Sequence, residues 1–172
     1  MRLDDNDFVL FGLPERFALD RADLDARRRR LQGATHPDRF GSEGAAAQRL
    51  AMQWSVRVNE AYRRLSEPLT RAAYLCELRS APIAAHTNTA MPADFLMQQI
   101  NWREALAEAE DDAALASLDA QVRAVELALL GQLETLLDDQ GAPALAAERV
   151  RALMFINRFR TDLGARLDAL QD

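Results

Sequence analysis

The three residues whose types most clearly suggest a chemical role are His36, Pro37 and Asp38, which follow one another in the stretch LQGATHPDRF (31–40). An imidazole beside a carboxylate can act in acid–base catalysis. That use needs a nucleophile, a metal or a second catalytic group, and the sequence places none at a suitable spacing. Proline fixes its own backbone and biases His36 towards an extended conformation. The motif therefore predicts a stiff polar corner, which suits docking because little entropy remains to be lost.

The composition favours an all-α protein with no cofactor. Hydrophobic residues make up 49% of the 172 residues, alanine and leucine dominate, and aromatic residues are only 6%. Cys76 is the only cysteine, so it has no internal disulfide partner, is expected to pack as a small hydrophobe, and fits a reducing cytoplasm. His86, the second histidine, is expected to be solvated. The chain has no apolar run of about 18 residues and no secretory signal, so no membrane association is expected.

The charged residues divide the chain into two parts. All 21 basic residues are arginine, which excludes chemistry that needs a lysine Schiff base or a phosphate-loop lysine. Residues 1–75 hold 13 arginines against 11 acidic residues, whereas residues 76–172 hold 8 against 16. The asymmetry indicates two modules with different partners, and the overall charge of −6 argues against nucleic acid as the main ligand.

The first module is predicted to span residues 1–78. It contains four predicted helices, at about 7–12, 21–34, 45–66 and 69–78. Gly12 is the expected stop of the first helix, and Asp20 is the expected N-cap of the second. The third is predicted from apolar residues that recur at spacings of three and four, and Pro68 is expected to end it.

The second module is predicted to be a three-helix bundle over residues 92–172. Residues 79–91 contain turn-forming residues without a hydrophobic period, so they are interpreted as a linker. Three long helical patterns follow, at about 92–110, at about 112–138, and from Pro143 onwards. Each carries an apolar stripe, and the connections between them are short, which is typical of a bundle.

The helix predicted at 92–110 has two apolar stripes instead of one. The first stripe consists of Phe95, Trp102, Leu106 and Ala109. The second, on nearly the opposite face, consists of Leu96, Met97 and Ile100, with Glu104 and Glu108 beside it. A helix in a three-helix bundle buries one face, so the second stripe is expected to be an exposed partner-binding patch. The alternative is that this stripe packs on the first module or on the linker.

The order of these elements resembles the HscB-type J-domain co-chaperones of iron–sulfur cluster assembly. A J-domain has a short helix, a basic helix, a His-Pro-Asp loop and a long helix with an Asn-x-Ala-Tyr-x-x-Leu motif. The matching residues are Asn59, Ala61, Tyr62 and Leu65, followed by Pro68, Arg71 and Tyr74. The stretches FVLFGLP (8–14) and DFLMQQINWREAL (94–106) extend the resemblance over nearly the whole chain.

The resemblance implies a J-domain joined to a C-terminal three-helix bundle in a co-chaperone that is not itself an enzyme. It implies that His36, Pro37 and Asp38 engage a DnaK-class chaperone, HscA, and stimulate its ATPase. Arg29 and Arg30 point away from the predicted buried side of their helix, so they are candidates to meet an acidic chaperone surface. The alternative is that both arginines are simply solvated.

The resemblance also implies that the second module binds the iron–sulfur scaffold IscU. The residues that align with the family's scaffold-binding surface are Leu96, Met97, Ile100, Glu104, Glu108 and Phe155. Three positions depart from the family pattern. Thr35 stands where J-domains usually have tyrosine, Arg28 where the family tends to have an aromatic residue, and Asn101 where it tends to be acidic. The first two departures are expected to loosen the packing of the second helix.

Three other functions are alternatives at this stage. The chain fits a J-domain co-chaperone that serves a different client. An enzyme that uses His36 as a general base needs a pocket and a second catalytic group, and the sequence indicates neither. A helical nucleic-acid binder built on Arg27–Arg30 is disfavoured by the overall acidity.

Overall fold

A computed structural model describes residues 2–35, 44–85, 87 and 89–171, and regular structure in this part of the chain is entirely helical. The α-helices are α1 (Asp7–Phe11), α2 (Arg21–Thr35), α3 (Ala45–Ser66), α4 (Pro68–Leu78), α5 (Ala93–Glu108), α6 (Asp112–Glu134) and α7 (Pro143–Gln171), with a π-helix at Thr135–Asp139 directly after α6. The all-α prediction is confirmed. Among the helices in the described ranges, none is long and apolar enough to cross a membrane.

The helix ends are set by the residues that the sequence pattern identified. Gly12 follows α1 with a positive φ of 64°, a conformation that glycine adopts without steric cost. The Asp20 carboxylate accepts hydrogen bonds from the backbone N–H groups of Ala22 and Asp23, at 2.8 and 3.2 Å, and so caps α2. Asp111 caps α6 in the same way by accepting from the N–H of Ala114.

The chain divides into two compact units, Met1–Tyr74 and Leu75–Asp172, and the division falls inside α4. The core of the first unit includes Phe8, Phe11, Phe17, Leu24, Val58, Ala61 and Leu65. In the second unit, α5 and α6 pack with α7 around a core that includes Phe95, Trp102, Leu118, Val122, Leu133, Val150, Ile156 and Phe159. The predicted bounds of 1–78, 79–91 and 92–172 remain a prediction.

The segment that was interpreted as a linker is attached to the second unit by a buried arginine. Arg151 is 5% exposed, and its guanidinium donates to the carbonyls of Ala90 and Ile83, at 2.6 and 3.1 Å. Ile83 itself is buried. Arg79 donates to the carbonyl of Leu137 in the π-helix. The described residues of the segment 79–91 therefore pack as part of the unit, because these guanidinium groups donate to backbone carbonyls in the segment and in the π-helix.

A buried carboxylate joins α1 to α3 in the first unit. Asp7 is fully buried, with one oxygen 2.8 Å from an Arg64 nitrogen and the other 2.7 Å from an Arg57 nitrogen. The Arg57 contact is close enough for an ion pair but poorly aligned for a hydrogen bond. The backbone N–H of Asp7 donates to the hydroxyl of Tyr74 on α4 at 3.1 Å. A single aspartate therefore ties three helices together.

Asp7→Ala is expected to lower the free energy of unfolding by about 3 kcal/mol, because it leaves two arginines without their shared carboxylate. Chemical denaturation followed by circular dichroism measures this. Asp4→Ala, at an exposed carboxylate paired only with Arg2, is the matched control and should change stability by less than about 0.5 kcal/mol. Equal effects of the two substitutions would contradict the role assigned to Asp7.

Candidate functional site

The predicted chaperone-docking corner, His36, Pro37 and Asp38, lies outside the described residues, as does His86. The structure does describe the two helices on either side of that corner. Helix α2 ends at Thr35, and α3 begins at Ala45.

The four consecutive arginines of α2, Arg27–Arg30, divide into two pairs. Arg27 forms an ion pair with Asp23 at 2.9 Å and donates to the carbonyls of Phe11 and Gly12 at 3.0 and 2.6 Å. Its neighbour Arg28 is partly buried. Arg29 and Arg30 are exposed, on the side that the helical periodicity indicated. The first pair therefore holds the unit together, whereas the second is accessible to a partner.

Helices α2 and α3 are joined by polar contacts around Tyr62. The Tyr62 hydroxyl donates to Asp25 at 2.7 Å and accepts from Arg21 at 2.7 Å. The hydrogen bond from Tyr62, opposed by partial desolvation and reinforced by the charge of Arg21, holds the pKa of the Asp25 carboxyl below its usual value. Asn59 accepts from Gln32 at 3.1 Å. The Asn-x-Ala-Tyr motif thus fixes the pairing of the two helices that flank the corner.

Two of the departures from the family pattern lie at this helix pair. The Arg28 guanidinium stacks over the Tyr62 ring, 4.1 Å from its centroid, so a flat cation packs on the aromatic face. Its buried Nε has no hydrogen-bond partner, which is a cost of this arrangement. Thr35 is buried, and its hydroxyl donates to the carbonyl of Leu31 at 2.9 Å. Both side chains are thus packed, and the predicted loosening of α2 stays a prediction.

Helix α5 buries one of its two apolar stripes and exposes the other. Phe95 and Trp102 are 5% and 1% exposed, whereas Leu96, Met97 and Ile100 are 47%, 62% and 52% exposed. Within the second unit, this second stripe is therefore not covered by α6, α7 or the described residues before α5. We call Leu96, Met97 and Ile100 the α5 patch.

The other predicted members of this surface have different environments. Glu104 and Glu108 are exposed, as is Asn101, the third departure from the family pattern. Phe155 of α7 is half-buried: its ring meets Phe95 edge to face at 5.8 Å and stacks on Phe159 at 5.9 Å. Phe155 is therefore both a part of the core and an accessible residue beside α5.

A groove that the sequence did not indicate lies beside Phe155. It has a volume of about 210 Å³ and is lined by Ala85, Thr89, Met91, Arg151, Met154, Phe155 and Arg158. Met154 is 42% exposed, and the Gln99 amide of α5 donates to the Met91 sulfur at 3.0 Å. These residues come from separate parts of the chain, so no local pattern could have grouped them.

Metal or thiol chemistry finds no support in the described part of the chain. No three His, Cys, Asp or Glu side chains within it are grouped as a metal site. Burial raises the pKa of the Cys76 thiol to about 11, so the thiol stays protonated and weakly nucleophilic near neutral pH.

Comparisons with known proteins agree on one family. The family model described as "HSCB C-terminal oligomerisation domain" matches residues 91–164. A co-chaperone protein HscB homolog of Burkholderia multivorans is 51% identical over 172 residues, which cover 98% of each chain. The homolog of Burkholderia cenocepacia is 49% identical with the same coverage.

Two solved structures have the same fold. The chaperone HscB from Vibrio cholerae superimposes with a TM-score of 0.87 at 36% identity, covering 96% of this chain and 99% of that one. The human co-chaperone protein HscB superimposes with a TM-score of 0.88 at 26% identity, covering 96% of this chain and 84% of that one.

Tyr62→Phe is expected to raise the pKa of Asp25 towards the ordinary value of 3.8, because it removes the hydrogen bond that most favours the carboxylate. A lowered pKa stabilises the fold above the unfolded-state pKa, and this contribution is lost as the pH falls through the folded-state pKa. An NMR titration of the Asp25 carboxyl measures the shift, with Asp4 as an internal reference. An unchanged Asp25 pKa would refute the assigned cause.

Proposed function

The chain belongs to the HscB co-chaperone family, and from that premise we propose that it binds the scaffold protein IscU and delivers it to a DnaK-class chaperone, HscA. The C-terminal bundle holds the scaffold, and the His-Pro-Asp corner of the J-domain stimulates the ATPase of the chaperone. The chain itself acts as an adaptor and not as an enzyme. We place it in the cytoplasm, since its one cysteine has no partner for a disulfide.

The α5 patch is the observation that supports binding of the scaffold by the C-terminal bundle. Its three side chains are each about half exposed or more, and they lie on a different face of α5 from the buried Phe95 and Trp102. A contiguous apolar patch with acidic residues at its edge is typical of a protein-binding surface. Glu104 and Glu108 give this edge a negative charge that suits a basic residue of the scaffold.

Phe155 supports the same assignment through its position. Its ring is fixed between Phe95 and Phe159, so little side-chain entropy is lost when a partner covers its accessible edge. Rigid aromatic anchors of this kind often dominate the free energy of binding. The patch and Phe155 together provide an apolar centre and a charged rim.

The proposed stimulation of the chaperone ATPase rests on the His-Pro-Asp motif and on the two helices that flank it. Arg29 and Arg30 are exposed at the end of α2 that leads into the His-Pro-Asp stretch. Arg27, Arg28 and Tyr62 fix that helix against the rest of the first unit. The corner favours the hydrolysis-competent state of the chaperone only if it binds that state more tightly, which is a shift in population.

Leu96→Ala combined with Ile100→Ala is expected to weaken scaffold binding by about 3 kcal/mol, because both side chains are removed from the centre of the interface. Isothermal titration calorimetry with IscU measures the change. Leu127→Ala is the matched control, since Leu127 is 69% exposed on α6 of the same unit and outside the patch. Unchanged affinity in the double variant would exclude the α5 patch as the binding site.

His36→Gln is expected to abolish the stimulation of the HscA ATPase while leaving scaffold binding intact, because the two surfaces use different residues. A steady-state ATPase assay measures this, with calorimetry on the same sample as a check of folding. The matched control is His86→Gln, at the other histidine of the chain, which should stimulate normally. Full stimulation by His36→Gln would rule out the docking role of the His-Pro-Asp corner.

A further inference from the structure

Two arginines of the second unit differ from the other six in having no polar partner among the residues that the structure describes. Six guanidinium groups donate to carboxylates or backbone carbonyls: those of Arg79, Arg123, Arg149, Arg151, Arg160 and Arg166. Arg103 and Arg158 are exposed, and neither has a hydrogen bond or ion pair to any residue that the structure describes. The unit has more acidic residues than arginines, so a shortage of carboxylates does not explain why these two arginines form no ion pair with a described residue.

Both arginines lie beside Phe155. The Arg103 guanidinium lies over the ring of Phe155, 5.4 Å from its centroid. Arg158 lines the groove of about 210 Å³ to which Phe155 and Met154 also contribute. Phe155 therefore has a cation from α5 on one side and a cation from α7 in the adjoining groove.

Two residues that line this groove, Met91 and Phe155, contact α5. The hydrogen bond from Gln99 to Met91 connects the groove to α5, and Phe155 contacts Phe95 beside the patch. Met91 and Met154 add flexible apolar side chains to its lining, which adapt easily to a partner. A protein that covers the α5 patch and the accessible edge of Phe155 therefore meets the groove as well.

The charges at the two edges of the patch have opposite signs. On a helical wheel, Arg103 lies about 20° from Leu96, on the side that faces Phe155. Glu104 and Glu108 each lie about 20° from Met97, on the far side. The patch thus has a basic edge, formed by Arg103 and Arg158, and an acidic edge, formed by Glu104 and Glu108.

We infer that Arg103 and Arg158 are specificity-determining residues that select a scaffold with an acidic side chain beside its apolar contact residues. This inference rests on the proposed function, because the scaffold is the occupant of the α5 patch. Exposed guanidinium groups lose little hydration on binding and pair readily with a carboxylate. Opposite charges at the two edges also fix which way round the scaffold binds, because the reversed orientation juxtaposes like charges.

The test compares charge reversals in the full-length chain. Arg158→Glu is expected to weaken IscU binding several-fold, and Arg103→Glu combined with Arg158→Glu to weaken it roughly tenfold or more, mainly through a slower association rate. Added NaCl should weaken wild-type binding more than it weakens binding of the double variant, in which repulsion replaces attraction at the basic edge. The matched control for the single reversal is Arg63→Glu, at an exposed arginine of α3 in the first unit, which changes the net charge equally and should bind as wild type.

A second arm identifies the acidic group on the partner. IscU variants in which exposed aspartates and glutamates are changed to arginine one at a time are titrated against the wild type and the double variant. At least one should bind the double variant more tightly than it binds the wild type. If the charge-reversed variants bind IscU as tightly as the wild type does, the charge selection is overturned. It is also overturned if no IscU variant binds the double variant more tightly than it binds the wild type. In both cases the proposed function still stands. Failure of the wild type to bind IscU overturns both.

Discussion

The structure of the second unit depends on one constraint: α5 is apolar on two faces, and a helix packed against two neighbours can bury only one of them. Phe95 and Trp102 occupy the buried face because α6 and α7 enclose them, and the rings of Phe155 and Phe159 complete this cluster. Leu96, Met97 and Ile100 are left at the surface as a consequence. An exposed apolar face adds nothing to the stability of the isolated chain, so its value lies in binding.

Arginine, the only basic residue type in this chain, has two separate uses. Most of the guanidinium groups in the second unit, like those of Arg27 and Arg71 in the first, donate to carboxylates or to carbonyls, including carbonyls at helix ends and in connecting segments. A planar fork of donors suits this use better than an ammonium group, because it reaches two acceptors at once. Against that background, the lack of polar partners at Arg103 and Arg158 is informative, since both lie beside Phe155 at the edge of the α5 patch.

Much of the first unit was predictable because its signals are local. Gly12, Asp20 and Pro68 mark helix ends through their own backbone and capping preferences, and α1, α3 and α4 fall within a residue or so of the predicted bounds. Periodicity also separated Arg29 and Arg30 from the buried side of α2. The segment 79–91 was interpreted as a linker because turn residues carry no sign of tertiary contacts. The buried Arg151 that holds it lies about 60 residues further along the chain.

The sequence by itself determined that the chain is helical, that α5 has two apolar faces, and that the motifs are those of the HscB family. These properties depend on residue type and on spacings of three and four, which the chain carries locally. Only the tertiary structure decided how Arg28 packs on Tyr62, and that Met91, Met154 and Phe155 line one groove. It also decided which carbonyls Arg79, Arg151 and Arg166 contact, because each of these contacts joins segments that are more than 50 residues apart in the sequence.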